Sequence, residues 1–341
     1  MNRDDALRGT TASVISVLGA FGIGSLIIAS IGKNPSLALF AMFSGALGGY
    51  YGLGSTLNLG AVLMLTGLAA VVSFSAGIWN IGMEGQLYVG SLSSVIVAFG
   101  LPGIGVITLF LAFAIGAITG GLYSALAGVL KAKFKVNEIV STIMLNYVAL
   151  LLVDWVAGGP LHKAGSALNE TPPIADQLKL PTFPGSTVQP TIIIAIVLGL
   201  AIAFLLKRTK VGFELRMMGG NYRAAEYTGV RTARQVILAM FLSGGLAGLA
   251  GCFLVFGSSY SVFDGISRSY GYLGIGVALL ASLNPVVSVL SALLFAILDV
   301  GGITMQAVTG VPSEIAEVMS AIIVIVILVR PLLVKVISRW L

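Results

Sequence analysis

Long apolar runs separated by short polar or Gly- and Pro-marked breaks recur along almost the whole chain. About 20 consecutive apolar residues let a helix cross the hydrocarbon core of a bilayer, and the pattern predicts about ten such spans. They fall at 11–31, 57–72, 86–99, 102–130, 137–157, 191–206, 235–256, 272–283, 286–300 and 313–329. The first follows a short stretch containing Arg3 and Arg8 and is too long for a typical signal-peptide core, so it reads as a retained anchor. Residues 35–51 are weaker and Gly-dense, and read as an interfacial helix rather than a span. A polar segment, 158–189, follows the fifth span and carries Pro160, Pro172, Pro173, Pro181 and Pro184.

Composition fixes the class. The 341 residues are 57% hydrophobic and 9% charged, with mean hydropathy +1.03; soluble domains carry about 25% charged residues. The chain is an all-α polytopic membrane protein, and membrane lipid is its first partner. Its 44 glycines suit close helix–helix contact in lipid. The net charge of +6 is no nucleic-acid signal, because the basic residues cluster at span ends. Cys252 is the single cysteine, so no internal disulfide forms, and His162 has no Cys or second His nearby to make a metal site.

Residues 74–86, FSAGIWNIGMEGQ, place polar chemistry where a span should be uninterrupted. A carboxylate at membrane depth costs roughly 2.5–3.5 kcal/mol on insertion scales. Non-helical backbone at that depth survives only when buried in protein or lining a wet cavity. Two readings stand: a short loop with Glu84 in headgroup water, or a broken helix whose Asn80, Glu84 and Gln86 face a solute path, with Gly77, Gly82 and Gly85 letting the backbone open. Asn80 and Glu84 are four residues apart and on a helix would share a face.

Basic residues set the orientation. Lys131, Lys133 and Lys135 mark one loop; Lys207, Arg208, Lys210, Arg216, Arg223, Arg231 and Arg234 mark another; Arg330, Lys335 and Arg339 mark the C-terminal end. By the positive-inside rule these, with both termini, are cytoplasmic, and segment 158–189 faces outside. A short internal echo agrees. KVNEIVSTIM (135–144) and GVPSEIAEVM (310–319) open spans five and ten, which run in opposite directions, as an inverted-repeat transporter requires. Glu138 and Glu314 read as helix-start carboxylates.

The connection 210–235, KVGFELRMMGGNYRAAEYTGVRTARQ, predicts two short helices, 212–218 and 222–227, with a break at Gly219-Gly220. A plain connector needs only a few residues. Either this is a basic stretch lying on anionic headgroups, or it docks a cytoplasmic partner, with Gly219, Gly220, Ala224 and Ala225 allowing close approach. No G-x-x-x-x-G-K-[ST] is present, so energy for transport must come from another chain or from an ion gradient.

Three segments carry a family resemblance. NIGMEGQ (80–86), the R-x-M-G-G-N-x-x-A-A-x-Y-x-G-V run (216–230) and SGGLAGLAG (243–251) resemble the permease subunits of ABC importers related to ribose and branched-chain amino acid permeases. Within that branch, 74–86 and STIMLNYVALLLVDW (141–155) are most similar to the nucleoside and simple-sugar permeases that serve binding lipoproteins of the basic-membrane-protein type. Met83 and Gly220 depart from the family's commoner Ala or Val, and Val or Glu, at those places. The resemblance runs from about residue 35 to the end of the chain. It implies a type II importer fold with about ten helices and inverted repeats, making residues 1–341 one permease domain. It also implies that 207–234 is the coupling loop meeting a cytoplasmic ATPase, through Arg216, Gly219, Gly220, Asn221, Ala224, Ala225 and Gly229. ATP and Mg would belong to that partner, and this chain would hold no cofactor and catalyse nothing itself. A second homologous permease completing a heterodimer, an extracytoplasmic binding lipoprotein and a bacterial cytoplasmic membrane complete the implied setting.

For a neutral nucleoside, a path wants a few hydrogen-bonding groups and aromatic walls. Asn80, Glu84 and Asn146 supply the first; Phe74, Trp79 and Tyr147 supply the second. Asn146 also reads as an interhelical hydrogen bonder, and Asp154 as wet or paired near the outer end of span five. The spans show acids but almost no buried Lys or Arg, which disfavours an anionic group in the path. A rival class is a proton-coupled secondary transporter using Glu84, Asp299 or Glu314.

Overall fold

The computed structural model describes residues 3–101 and 105–337, with side chains for 17–101 and 105–329. Arg3, Arg8, Arg330, Lys335 and Arg339, used for orientation, lie outside the described side chains. The regular elements are helical, apart from one bridge pair between Glu170 and Phe263. In order they are α1 (Arg3–Ser30), α2 (Pro35–Leu47), α3 (Gly49–Ser75), α4 (Met83–Gly100), α5 (Val106–Phe134), α6 (Glu138–Gly158), α7 (Thr191–Arg208), α8 (Lys210–Gly220), α9 (Tyr222–Tyr227), α10 (Thr232–Leu254), α11 (Tyr270–Leu280), α12 (Val287–Thr309) and α13 (Glu314–Ile337).

Among the described residues six helices are long and apolar enough to cross a membrane: α3, α5, α6, α7, α10 with the π-helical turn that extends it, and α12. The protein is therefore an integral membrane protein. α3 is the hub, its apolar stretch 89% buried against 28% for α5. Stretch 35–51, expected at the interface, is divided between α2, 13 residues long and outside the six span-length helices, and the start of α3. Ala38, Ala41, Met42 and Ala46 are buried, because Gly45 and Gly301 let α2 and α12 approach closely; a Cβ at Gly45 would lie 2.2 Å from Thr304.

Small residues set the other central contacts. A Cβ on Gly244 would fall 2.3 Å from the Gly120 carbonyl, and one on Gly248 2.3 Å from that of Gly116. The two G-x-x-x-G pairs thus seat α5 and α10 within the chain, and Gly90 of α4 meets Gly248 at the same point. Without a hydrophobic force between helices in lipid, such backbone approach supplies the packing.

The path of the chain is interrupted twice. α3 ends at Ser75 and α4 begins only at Met83; α10 passes through the π-helical turn Val255–Ser259 and an irregular stretch 260–269 before α11. Segment 158–189 straps over the second interruption: the amides of Thr171, Ile174 and Leu180 donate to the carbonyls of Val262, Tyr260 and Phe256 at 2.8–3.0 Å. Within it Lys163 donates to Glu170 and holds that carboxyl below its ordinary range. Segments around Lys131 and α8–α9 share the opposite end of the bundle, where Lys131 and Asn221 line one cavity.

Candidate functional site: two helix breaks

The first break opens at Gly77, whose φ of +72° places it where side chains are strained. Residues 78–81 are not helical, so Asn80 precedes α4 instead of sharing a helical face with Glu84. That corrects the expectation from their four-residue spacing. Asn80 and Gln86 exchange amide hydrogen bonds, Nδ2 to Oε1 and Nε2 to Oδ1, both 3.0 Å. Asn80 Nδ2 also donates to Ser243 Oγ at 2.9 Å, while its Oδ1 accepts from the Gly82 amide. The Ser243 hydroxyl in turn donates a hydrogen bond to the Ala69 carbonyl at 2.7 Å, tying α10 to α3.

Asn146 of α6 serves the same break. Its Oδ1 accepts from the Gly85 amide at 2.9 Å, and its Nδ2 donates to the Ile81 carbonyl and the Tyr272 hydroxyl. The interhelical reading of this residue therefore holds. Glu84 reaches across to the second break: Oε2 accepts from the Gly271 amide and from Ser267 Oγ, each at 2.9 Å. It occupies the N-terminus of α11, where unpaired amides and the helix dipole favour a carboxylate. Tyr88, one turn on, accepts from the Gly265 amide at 3.0 Å. Glu84 is not in headgroup water; it is 5% exposed, Asn146 1% and Asn80 0%. Their polar atoms hold two interruptions in shape.

The aromatic residues are disposed differently. Phe74 is buried and packs against Trp79 in a tilted pair, ring centroids 4.6 Å apart and planes at 42°. Trp79, Tyr147 and Tyr272 are exposed on the surface of the chain. A cavity of about 190 Å³ lies elsewhere, where the turn of Gly77 and Ile78 meets α8 and α9 beside Lys131. It falls below the roughly 300–1,000 Å³ of small-molecule sites. Gly219 closes this contact, since a Cβ there would sit 2.2 Å from the Ser75 carbonyl. The first break and α8 thus touch backbone to backbone.

Within α8–α9 the chain breaks at Asn221, two residues beyond Gly219, because its Oδ1 caps α9 by accepting from the Ala224 amide at 3.0 Å. Arg216, Gly219, Gly220, Asn221, Ala224 and Gly229 are exposed, and a Cβ on Gly220 would meet nothing within 4 Å. Ala225 is fully buried, so its smallness serves packing within the chain. Phe213 and Tyr227, which the sequence reading passed over, are exposed on the same segment, Tyr227 at 91%. Also unanticipated is Arg268, exposed in the second break with φ +45°, followed by Ser269 at +66°. Tyr270 next to it is buried and donates to Asp299 Oδ2 at 3.2 Å.

Residues 52–328 match the family described as branched-chain amino acid transport system, permease component. The chain belongs to this family. It is a transport component rather than an enzyme. Among similar proteins, the guanosine ABC transporter permease protein NupP of Bacillus subtilis is 32% identical over 323 residues, covering 92% of this chain and 91% of the relative. The nucleoside ABC transporter permease protein NupB of Lactococcus lactis is 32% identical over 340 residues, 95% of this chain and 92% of the relative; NupC of the same organism is 27% identical over 286 residues, 78% and 87%. The glucose ABC transporter permease protein TsgB13 of Haloferax volcanii is 28% identical over 323 residues, 92% and 85%.

Proposed function

We propose that this chain is the permease subunit of an ATP-driven importer that moves nucleosides across the cytoplasmic membrane. The observation that carries the reading is 32% identity, over nine-tenths or more of both chains, to two permeases named for guanosine and nucleosides. The disposition of charge agrees, because a neutral solute needs no fixed counter-charge beyond the groups already paired in the breaks. A simple sugar is the second reading, favoured by the 28% identity to a glucose permease.

The finer architecture belongs to the same proposal. The chain has about ten spans arranged as inverted repeats, supported by the recurrence of long helix, break, short helix and two further helices as α3 to α6 and again as α10 to α13. The echoing Glu-Ile starts at 138 and 314 open the last helix of each set. Basic loops share the cytoplasmic side with both termini, and 158–189 is extracytoplasmic. The 207–234 segment is the coupling loop, docking an ATPase that holds ATP and Mg through exposed Arg216, Gly219, Gly220, Asn221, Ala224 and Gly229. Ala225 supports that surface from beneath. A second homologous permease pairs with this one, as the presence of both NupB and NupC in one organism suggests, and a binding lipoprotein delivers the solute. Trp79 faces the solute path with Tyr147; Phe74 backs Trp79, while Asn80, Glu84 and Asn146 fix the backbone that presents it.

Co-expression with the ATPase and partner permease tests this. Co-purification with the ATPase, together with guanosine uptake into vesicles that requires internal ATP, supports the reading. Uptake driven by a proton gradient with no ATPase present refutes it in favour of the secondary transporter.

A further inference from the structure

The second break carries a charged cluster that neither the motifs nor the helix packing require. Glu84 Oε2 grips the chain on both sides of a two-residue reversal, through Ser267 Oγ and the Gly271 amide. Between those clamps Arg268 and Ser269 both take left-handed backbone conformations, φ +45° and +66°, which non-glycine residues adopt only where the surroundings impose them. The result turns Arg268 outward while Tyr270 stays buried. The Tyr270 hydroxyl donates to Asp299, and Arg268 lies beside that phenol within the electrostatic reach of Asp299 and Glu317.

Position makes the cluster informative. Asp299 lies near the midpoint of α12 and is partly exposed; Arg268 and Glu317 are exposed. An arginine and a carboxylate open to their surroundings at membrane depth do not face lipid chains; they face water or a polar partner. One cation against two carboxylates leaves no net positive charge to retain an anion. It does present a guanidinium fork of fixed donors next to carboxylate acceptors, a set matched to vicinal hydroxyls and ring heteroatoms.

We propose that Arg268 and Asp299, joined through Tyr270, form a hydrated solute-contacting site at the second break, taking a neutral polyhydroxylated ring. This rests on the importer reading above and deepens it, adding contacts in the second half of the chain to those assigned around Trp79. Tyr270 is a positioning residue, and Glu84 acts through the backbone it clamps.

The chain's single cysteine, Cys252, is fully buried, so an introduced cysteine is this chain's one accessible thiol, and the parent importer sets the background. In membranes holding the complete importer, Arg268→Cys should react with a charged, membrane-impermeant methanethiosulfonate. Guanosine or glucose at saturation, whichever the importer carries, should slow that reaction several-fold. Asp299→Cys on regular helix gives the same test if the strained position does not tolerate replacement. Asp299→Asn should raise KM for uptake about tenfold, and Arg268→Lys should fall short of that loss. Absence of labelling at both positions in well-expressed protein overturns the site whatever the solute. Labelling without protection, alongside an unchanged KM for Asp299→Asn, overturns it too, because the water would then lie off the path. Labelling needs no substrate, so failure to transport either guanosine or glucose would remove the nucleoside and sugar readings without removing this site.

Discussion

Replacing Glu84 separates a residue that holds the fold from one that merely lines a path. In Glu84→Ala two hydrogen bonds to a buried carboxylate disappear, from Ser267 Oγ and the Gly271 amide. Each such bond contributes about 1.5–3 kcal/mol, so the gross loss is about 3–6 kcal/mol. Two terms oppose it. The cost of burying the carboxylate vanishes, and part of the backbone strain at the left-handed Arg268 and Ser269 is relieved, together offsetting about 1–2 kcal/mol. A net destabilisation of about 2–4 kcal/mol remains. At about 2 °C per kcal/mol for a chain this size, Glu84→Ala should melt about 4–8 °C below the parent in detergent, followed by fluorescence-detected size exclusion of the heated complex. Glu84→Gln retains one acceptor oxygen in place and should lose about half as much. An alanine variant melting with the parent would refute the clamp and return Glu84 to an open, wet position.

Further outcomes follow from the packing. Gly219→Val places carbon against the Ser75 carbonyl, 2.2 Å from the Cβ position, and should cut ATP-driven uptake at least tenfold by forcing α8 away from the first break. Gly220→Trp, at a site with open space, should keep the parent melting temperature and lose ATPase-coupled uptake, read as ATP hydrolysed per solute moved. Ala225→Trp, at a fully buried position, should lower the melting temperature itself. Gly248→Leu must displace the Gly116 carbonyl and Gly120; overpacking of this kind costs about 1–3 kcal/mol or more, visible as a lower melt of the isolated chain.

Much of the helical layout was legible because lipid leaves few alternatives: apolar length alone predicts spans, and abundant glycine predicts close helix–helix contact, though not which helices meet. The 74–86 break was legible for the converse reason, since polar residues inside an apolar pattern carry a cost that something must offset. What those residues do was not legible. Asn80 and Glu84 are four apart in sequence, but α4 starts at Met83, and the partners of Glu84 lie more than 180 residues away. No local period encodes such a contact. The second break escaped notice because residues 257–271 are polar enough to read as an ordinary connection, hiding Arg268 from a search confined to spans. The close packing of 35–51 was not legible because small residues lower apparent hydropathy while enabling the closest burial, as Gly45 against Thr304 illustrates. Gly220 and Ala225 looked alike as small residues; only their surroundings distinguish an open surface from an internal contact.

Solute competition in the assembled importer bears most directly on the account. Vesicles containing this chain, its partner permease and the ATPase, supplied with the binding lipoprotein, should take up labelled guanosine only with ATP. Excess unlabelled nucleosides should abolish that uptake, while glucose, ribose and leucine should leave it intact. Guanosine uptake that leucine or glucose abolishes and other nucleosides do not, or that proceeds without ATP, would contradict it.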